Sequence, residues 1–99
     1  MAPAGEKSVR LEVSGELDLS TSPELGQALK RELDGGRTVV VDLSRVTFID
    51  STGLNTLVGA LRLCESNGGR LAVSPKLPAQ VTRVFEISGL DTVIPIARS

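Results

Sequence analysis

TVVVDLSRVTFIDSTGL, residues 38 to 54, leads from a β-branched run through a polar corner into a helical pattern. Residues 38 to 43 are near-continuously apolar, which predicts a strand covered on both faces at the centre of a sheet. VTFI remains strand-like up to a corner where an acid, two hydroxyls and a glycine stand side by side as Asp50, Ser51, Thr52 and Gly53. Beyond the corner, Leu54, Leu57, Val58, Leu61 and Cys64 recur at helical spacing until Asn67, Gly68 and Gly69 stop the pattern.

The same alternation of strand and helix extends in both directions. Upstream, residues 8 to 16 place Val9, Leu11 and Val13 opposite Arg10 and Glu12, the pattern of a strand with one wet face. A first helix follows: Thr21 and Glu24 have capping-box spacing, Pro23 suits the first turn, and Leu25, Ala28, Leu29 and Leu33 form an apolar stripe ended by Gly35 and Gly36. Downstream, RLAVS predicts a short strand, and residues 78 to 88 a third helix with Val81, Val84 and Phe85 inward and Gly89 as its stop. A last strand is expected at residues 93 to 96. The order β-α-β-α-β-α-β, with helices as crossovers, predicts an α/β domain with a small, mostly parallel sheet.

A chain of 99 residues forms one domain, here residues 8 to 99, with residues 1 to 7 expected to be flexible. Phe48 and Phe85 are its only aromatic residues, so the core is aliphatic. With 11 basic and 12 acidic residues the charge is balanced, which gives nucleic acid or an anionic membrane no electrostatic footprint. The single cysteine excludes an internal disulfide, and without histidine no metal site is expected. Cys64 itself is expected to be a small buried apolar residue. MAPAGEKS lacks the apolar core of a signal peptide and no run approaches a membrane span, so a cytoplasmic location is expected.

Ser51 stands at the mouth of the second helix, and two readings fit it. In one, Asp50, Ser51 and Thr52 satisfy the orphan N–H groups of the helix start, a contribution of about 1 kcal/mol. In the other, Ser51 accepts a phosphoryl group, whose charge the positive end of the helix dipole tolerates. Gly53 either clears the approach to the hydroxyl or economises on packing. Gly59 reads as tight packing onto the sheet or, slightly less readily, as partner contact. A hydrolase is not expected: GxSxG is absent and there is no histidine to act as base. Nor is there a GxxxxGKS/T loop, so no nucleotide or other cofactor is implied.

GELDLST at 15 to 21, VVVDLSRVTFIDSTGL at 39 to 54, GG at 68 and 69, and FEISGLDTVI at 85 to 94 resemble the STAS domains of bacterial anti-sigma factor antagonists. The resemblance implies a STAS fold, a sheet backed by helices, and regulation by partner switching rather than enzymatic activity. The unmodified protein would bind an anti-sigma factor that is also a serine kinase of the GHKL type and so free the sigma factor. Phosphorylation of the serine after the aspartate, here Ser51, would end that binding, and a PPM-type phosphatase would restore it. Asp18 and Thr21 match family positions near the phosphorylation site; turn formation and capping of the first helix account for them as well. The expected docking surface comprises Asp18 and Thr21 with the corner itself: Asp50, Ser51, Thr52, Gly53, Leu54 and Asn55. Two departures stand out. Asn55 replaces a glycine common in relatives, and MAPAGEK leaves the family's additional N-terminal strand frayed, very brief or absent.

Two other classes compete: a STAS scaffold or regulatory subunit of a sensor or transporter complex, in which the serine need not be modified, and a small enzyme or nucleotide-binding domain, for which no constellation is present. Transfer of phosphate to Ser51 by a kinase separates the first class from the others.

Overall fold

The computed structural model describes residues 8 to 97. Three strands, β1 (Ser8–Leu17), β2 (Thr38–Ile49) and β3 (Arg70–Val73), form a sheet in the order β1-β2-β3, and every pairing in it is parallel. Parallel neighbours require crossovers. Helix α1 (Ser22–Asp34) joins β1 to β2 and α2 (Ser51–Asn67) joins β2 to β3; α3 (Ala79–Ser88) follows β3. Residues 1 to 7, where flexibility is expected and where the family's additional N-terminal strand would fall, lie outside the described residues.

The core is aliphatic. Val39, Val41 and Leu43 of β2 are sealed at 0% exposure against Leu25, Leu29 and Leu33 of α1 and Leu54, Leu57 and Cys64 of α2. Phe85 and Val81 of α3 complete it, while Val84 and Ala28 are only half-buried at its margin. Burial raises the Cys64 thiol above its ordinary pKa, and Cys64 is the apolar core residue its helical position implies. The αL conformation of Gly68 (φ 78°) ends α2, with its N–H donating to the Cys64 carbonyl at 2.9 Å.

Two expectations are corrected. Although β2 is the central strand, it is sealed on one face only: Val40 and Asp42 are half-buried on the other, where Arg10 donates to Asp42 at 2.7 Å. A continuous β-branched run is equally compatible with a one-sided sheet when charged partners from the neighbouring strand hold the second face. The last strand, at residues 93 to 96, is replaced by a 3-10 turn, Leu90–Thr92, and one bridge between Val73 and Ile96. Pro95 lacks the N–H that a ladder needs, and its carbonyl accepts from Val73 N at 2.8 Å while Ala97 N donates to Val73 O at 2.8 Å. Two bonds therefore close this edge without a strand.

Hydrogen bonds from Ser44, then the Arg10 guanidinium, hold the Asp42 carboxyl down to about 2. A depressed folded-state value means stability that is fully present above about pH 4 and is lost as pH falls through the folded value. Because Arg10 is 54% exposed, solvent screens the pair and the contribution is small. We predict that urea midpoints of the wild type fall more steeply between about pH 4 and pH 2 than those of Asp42→Asn; parallel curves would show that Asp42 plays no part in acid unfolding.

Candidate functional site

Adjacent parallel strands deliver their following loops to the same edge of the sheet. Leu17 and Ile49 are register partners at the ends of β1 and β2, so the segments beginning at Asp18 and Asp50 emerge side by side. Asp50 N donates to the Leu17 carbonyl at 3.3 Å and ties the two together.

The first loop is wound around the Asp18 carboxylate. Its Oδ1 accepts from Ser20 N at 3.1 Å, Ser20 Oγ at 2.9 Å and Thr21 N at 3.2 Å. The Asp18 carbonyl accepts from Ser22 N at 2.8 Å, starting α1. Thr21 does not close the capping box expected with Glu24: its hydroxyl is already engaged, lying 2.8 Å from the Glu16 carbonyl and 3.1 Å from Asp18 Oδ1 while accepting from Asp18 N at 2.9 Å. The side chain staples the end of β1 to the loop instead. The Ser20 hydroxyl, opposed by burial and reinforced by Thr21, lowers the Asp18 pKa below its ordinary value, so this loop carries a fixed negative charge at neutral pH.

In the second loop Asp50 is the N-cap of α2, with extended backbone and with Oδ1 accepting from Gly53 N at 3.1 Å. Its carbonyl accepts from Leu54 N at 3.0 Å. Capping is thus the work of Asp50, which leaves Ser51, the first helical residue, exposed. Thr52 is half-buried and Asn55 exposed, whereas Gly53 and Leu54 are buried beneath the corner. A Cβ on Gly53 would stand 2.6 Å from the Leu17 carbonyl oxygen and 2.9 Å from Ile49 Cγ1. Gly53 is therefore a packing necessity. Gly59 has the opposite environment: it is exposed, and a Cβ there meets nothing within 4 Å, so tight packing onto the sheet does not explain it.

Three neighbours of this corner were not singled out by sequence reasoning. Leu19 (74% exposed) and Phe48 (43% exposed) are large apolar side chains facing solvent in the loop after β1 and near the end of β2. Gln80, in the first turn of α3, accepts from Ile49 N at 3.0 Å and donates to Ile49 O at 3.2 Å, fixing the strand end two residues before Ser51. An apolar residue inside the polar turn DLST was the one available signal for Leu19; for Gln80 there was none. Among the described residues no group of three or more acidic or cysteine side chains is placed to hold a metal, and no helix is long and apolar enough to cross a membrane.

Fold and corner together define a small α/β domain whose distinctive chemistry is one hydroxyl at a helix tip, between two acidic loops. Residues 2–95 match the family model described as Mlab, STAS domain. The chain is 36% identical over 92 residues to an anti-sigma-B factor antagonist of Staphylococcus aureus (strain NCTC 8325 / PS 47), covering 92% of this chain and 84% of the relative. It is 30% identical to the protein of that name in Bacillus subtilis (strain 168), covering 93% and 84%. A solved structure of an anti-sigma factor antagonist from Mycobacterium paratuberculosis superposes with a TM-score of 0.81 at 28% identity, over 95% of this chain and 80% of that one. The chain belongs to the STAS domain family, among the anti-sigma factor antagonists.

The two glycines of α2 give opposite predictions. Gly53→Ala should lower unfolding stability by about 2 kcal/mol, since backbone oxygen must yield to the new methyl. Gly59→Ala should raise it by roughly 0.5–1 kcal/mol through helix propensity alone. Urea denaturation of both variants checks this, and a neutral Gly53→Ala would contradict the close approach at Leu17.

Proposed function

We propose that this chain is an anti-sigma factor antagonist that acts by partner switching through Ser51. Its unphosphorylated form binds an anti-sigma factor that is a serine kinase of the GHKL type, and the sigma factor is thereby released. The observation that carries this reading is the exposure of Ser51 at the first position of α2 while its neighbour Asp50 does the capping. A serine needed for the cap would not be spare for chemistry. The curated relatives named as anti-sigma-B factor antagonists support the role.

In the transfer step the Ser51 hydroxyl oxygen attacks the γ-phosphorus of ATP held by the kinase. The new O–P bond forms as the bond to the bridging oxygen of ADP breaks, and the hydroxyl proton passes to a base of the kinase. A PPM-type phosphatase hydrolyses the ester to serine and inorganic phosphate. The product carries close to two negative charges at the start of α2, where the helix dipole offsets part of the cost within the domain. In an interface the balance differs: the phosphate loses water and faces the carboxylates of Asp18 and Asp50, so the partner is repelled. Leu19, in the loop after β1, and Phe48, near the end of β2, supply exposed apolar surface to the interface, and Asp18, Thr21, Thr52 and Asn55 its polar rim. Gly53 and Leu54 act from below by shaping the corner.

Incubation with ATP and the GHKL-type anti-sigma kinases of the source organism, followed by peptide mass spectrometry, should place one phosphate on Ser51 and none on Ser51→Ala. Ser51→Asp should bind the kinase about 100-fold more weakly than Ser51→Ala, a difference of about 2.7 kcal/mol. Equal affinities of the two variants would defeat the switch. Stable binding to a sensor or transporter complex without any transfer would favour the scaffold role.

A further inference from the structure

Strand β2 reaches much further than β3. Its pairing with β3 covers only Thr38 to Val41, and Ser74 N extends that side by one bond to the Val41 carbonyl at 2.9 Å. From there β2 runs on to Ile49, still in register with β1 through Leu17. Successive backbone groups of a strand point to opposite sides. Asp50 N faces β1, where it donates to the Leu17 carbonyl, so the N–H and C=O of Ile49 face the other way. A side chain meets them there: Gln80 Oε1 accepts from Ile49 N at 3.0 Å and Gln80 Nε2 donates to Ile49 O at 3.2 Å. A primary amide carries an acceptor and donors side by side, the complement of one residue's backbone pair; a carboxylate would match only the N–H half. Gln80 itself has a firm base. It stands in the first turn of α3, where Thr82 N donates to the Pro78 carbonyl at 2.9 Å, and its neighbour Val81 is sealed in the core with Phe85.

Satisfying a buried strand end is reason enough for such a pair of bonds, but its place in the chain gives it a second effect. Only Asp50 separates Ile49 from Ser51, the first residue of α2, so no loop is present to absorb a shift. Any displacement of the strand end passes to the helix tip. We infer that Gln80 is a positioning residue for phosphoryl transfer to Ser51, an inference that rests on the function proposed above. Its hydrogen bonds go to Ile49, and it acts on the hydroxyl through the backbone. Transfer needs the serine oxygen in line with the γ-phosphorus and its leaving oxygen, and a tip that rocks is aligned for less of the time. Docking is less sensitive. The loop after β1, with Asp18, Leu19 and Thr21, keeps its own hydrogen bonds whatever α3 does. Loss of Gln80 therefore lowers turnover of the phosphorylation reaction rather than affinity for the kinase, and α3, which supplies none of the docking surface, becomes part of the switch.

Gln80→Met, similar in length and without either bond, isolates the effect. With the GHKL-type kinase that phosphorylates the wild type and saturating ATP, initial rates against antagonist concentration should show kcat lower by about tenfold and KM changed by less than about twofold. Ile94→Val removes one buried methyl beyond α3; it controls for a general loss of stability and should leave both constants as they are. Amide hydrogen exchange gives a second readout without the kinase. The amides of Asp50, Gly53 and Leu54, bonded to Leu17 O, Asp50 Oδ1 and Asp50 O, should exchange at least about tenfold faster in Gln80→Met while those of β3 keep their rates. An unchanged kcat, a rise in KM alone, an equal loss of kcat in Ile94→Val, or unaltered exchange at the start of α2 would each overturn the positioning role. Absence of phosphate on wild-type Ser51 with every GHKL-type kinase would instead overturn the proposed function, and this inference with it.

Discussion

The carbonyl oxygen of Leu17 is the point on which the site turns. It accepts from Asp50 N, and the first turn of α2 comes so close to it that position 53 has no room for a side chain. These two facts bring the ends of β1 and β2 and the start of α2 to one place. Gln80 holds the same strand end from the other side, pairing with both the N–H and the carbonyl of Ile49 much as a neighbouring strand would. Pinned from two sides, the corner presents Ser51 from a fixed position rather than from a mobile loop.

The division of labour between Asp50 and Ser51 follows from that geometry. A helix start has orphan N–H groups, and a carboxylate at the cap position satisfies the one on Gly53. The next residue is then chemically idle and faces solvent. Asp18, pinned by hydrogen bonds from Ser20 and Thr21, sets a second fixed charge in the adjacent loop. The tip is thus already flanked by acid, and under the proposed function a phosphate added there would meet repulsion that is pre-positioned rather than created by movement. A switch of this kind needs no second backbone conformation.

Much of this was legible in the sequence because the signals were periodic. The β-branched run of β2 and the spacing of Leu54, Leu57 and Cys64 each marked an element, and the corner between them marked the candidate site. What was not legible depended on tertiary partners. Nothing within residues 38 to 43 says which face of a β-branched run is covered; that is decided by the helices, whose Leu29, Leu33 and Leu57 share a core with Val39, Val41 and Leu43 while Arg10, 32 residues away along the chain, meets Asp42 on the other face. Thr21 has the local spacing of a cap, but its hydroxyl is turned back to the Glu16 carbonyl and to Asp18, partners that the spacing does not reveal. Residues 93 to 96 have strand propensity, yet Pro95 limits them to a bridge. Gly53 and Gly59 look alike in sequence, and only the backbone brought against one of them tells a packing requirement from an unhindered surface position.

Backbone amide spectra of the protein before and after phosphorylation of Ser51 test the central claim most directly. The account predicts that large chemical-shift changes stay within the two loops and the first turn of α2, residues 17 to 22 and 49 to 56, while the amides of β3 and α3 remain where they were. Changes spread through the sheet and the far helices would contradict it, because the modification would then be acting by refolding the domain and not by adding charge to a rigid corner.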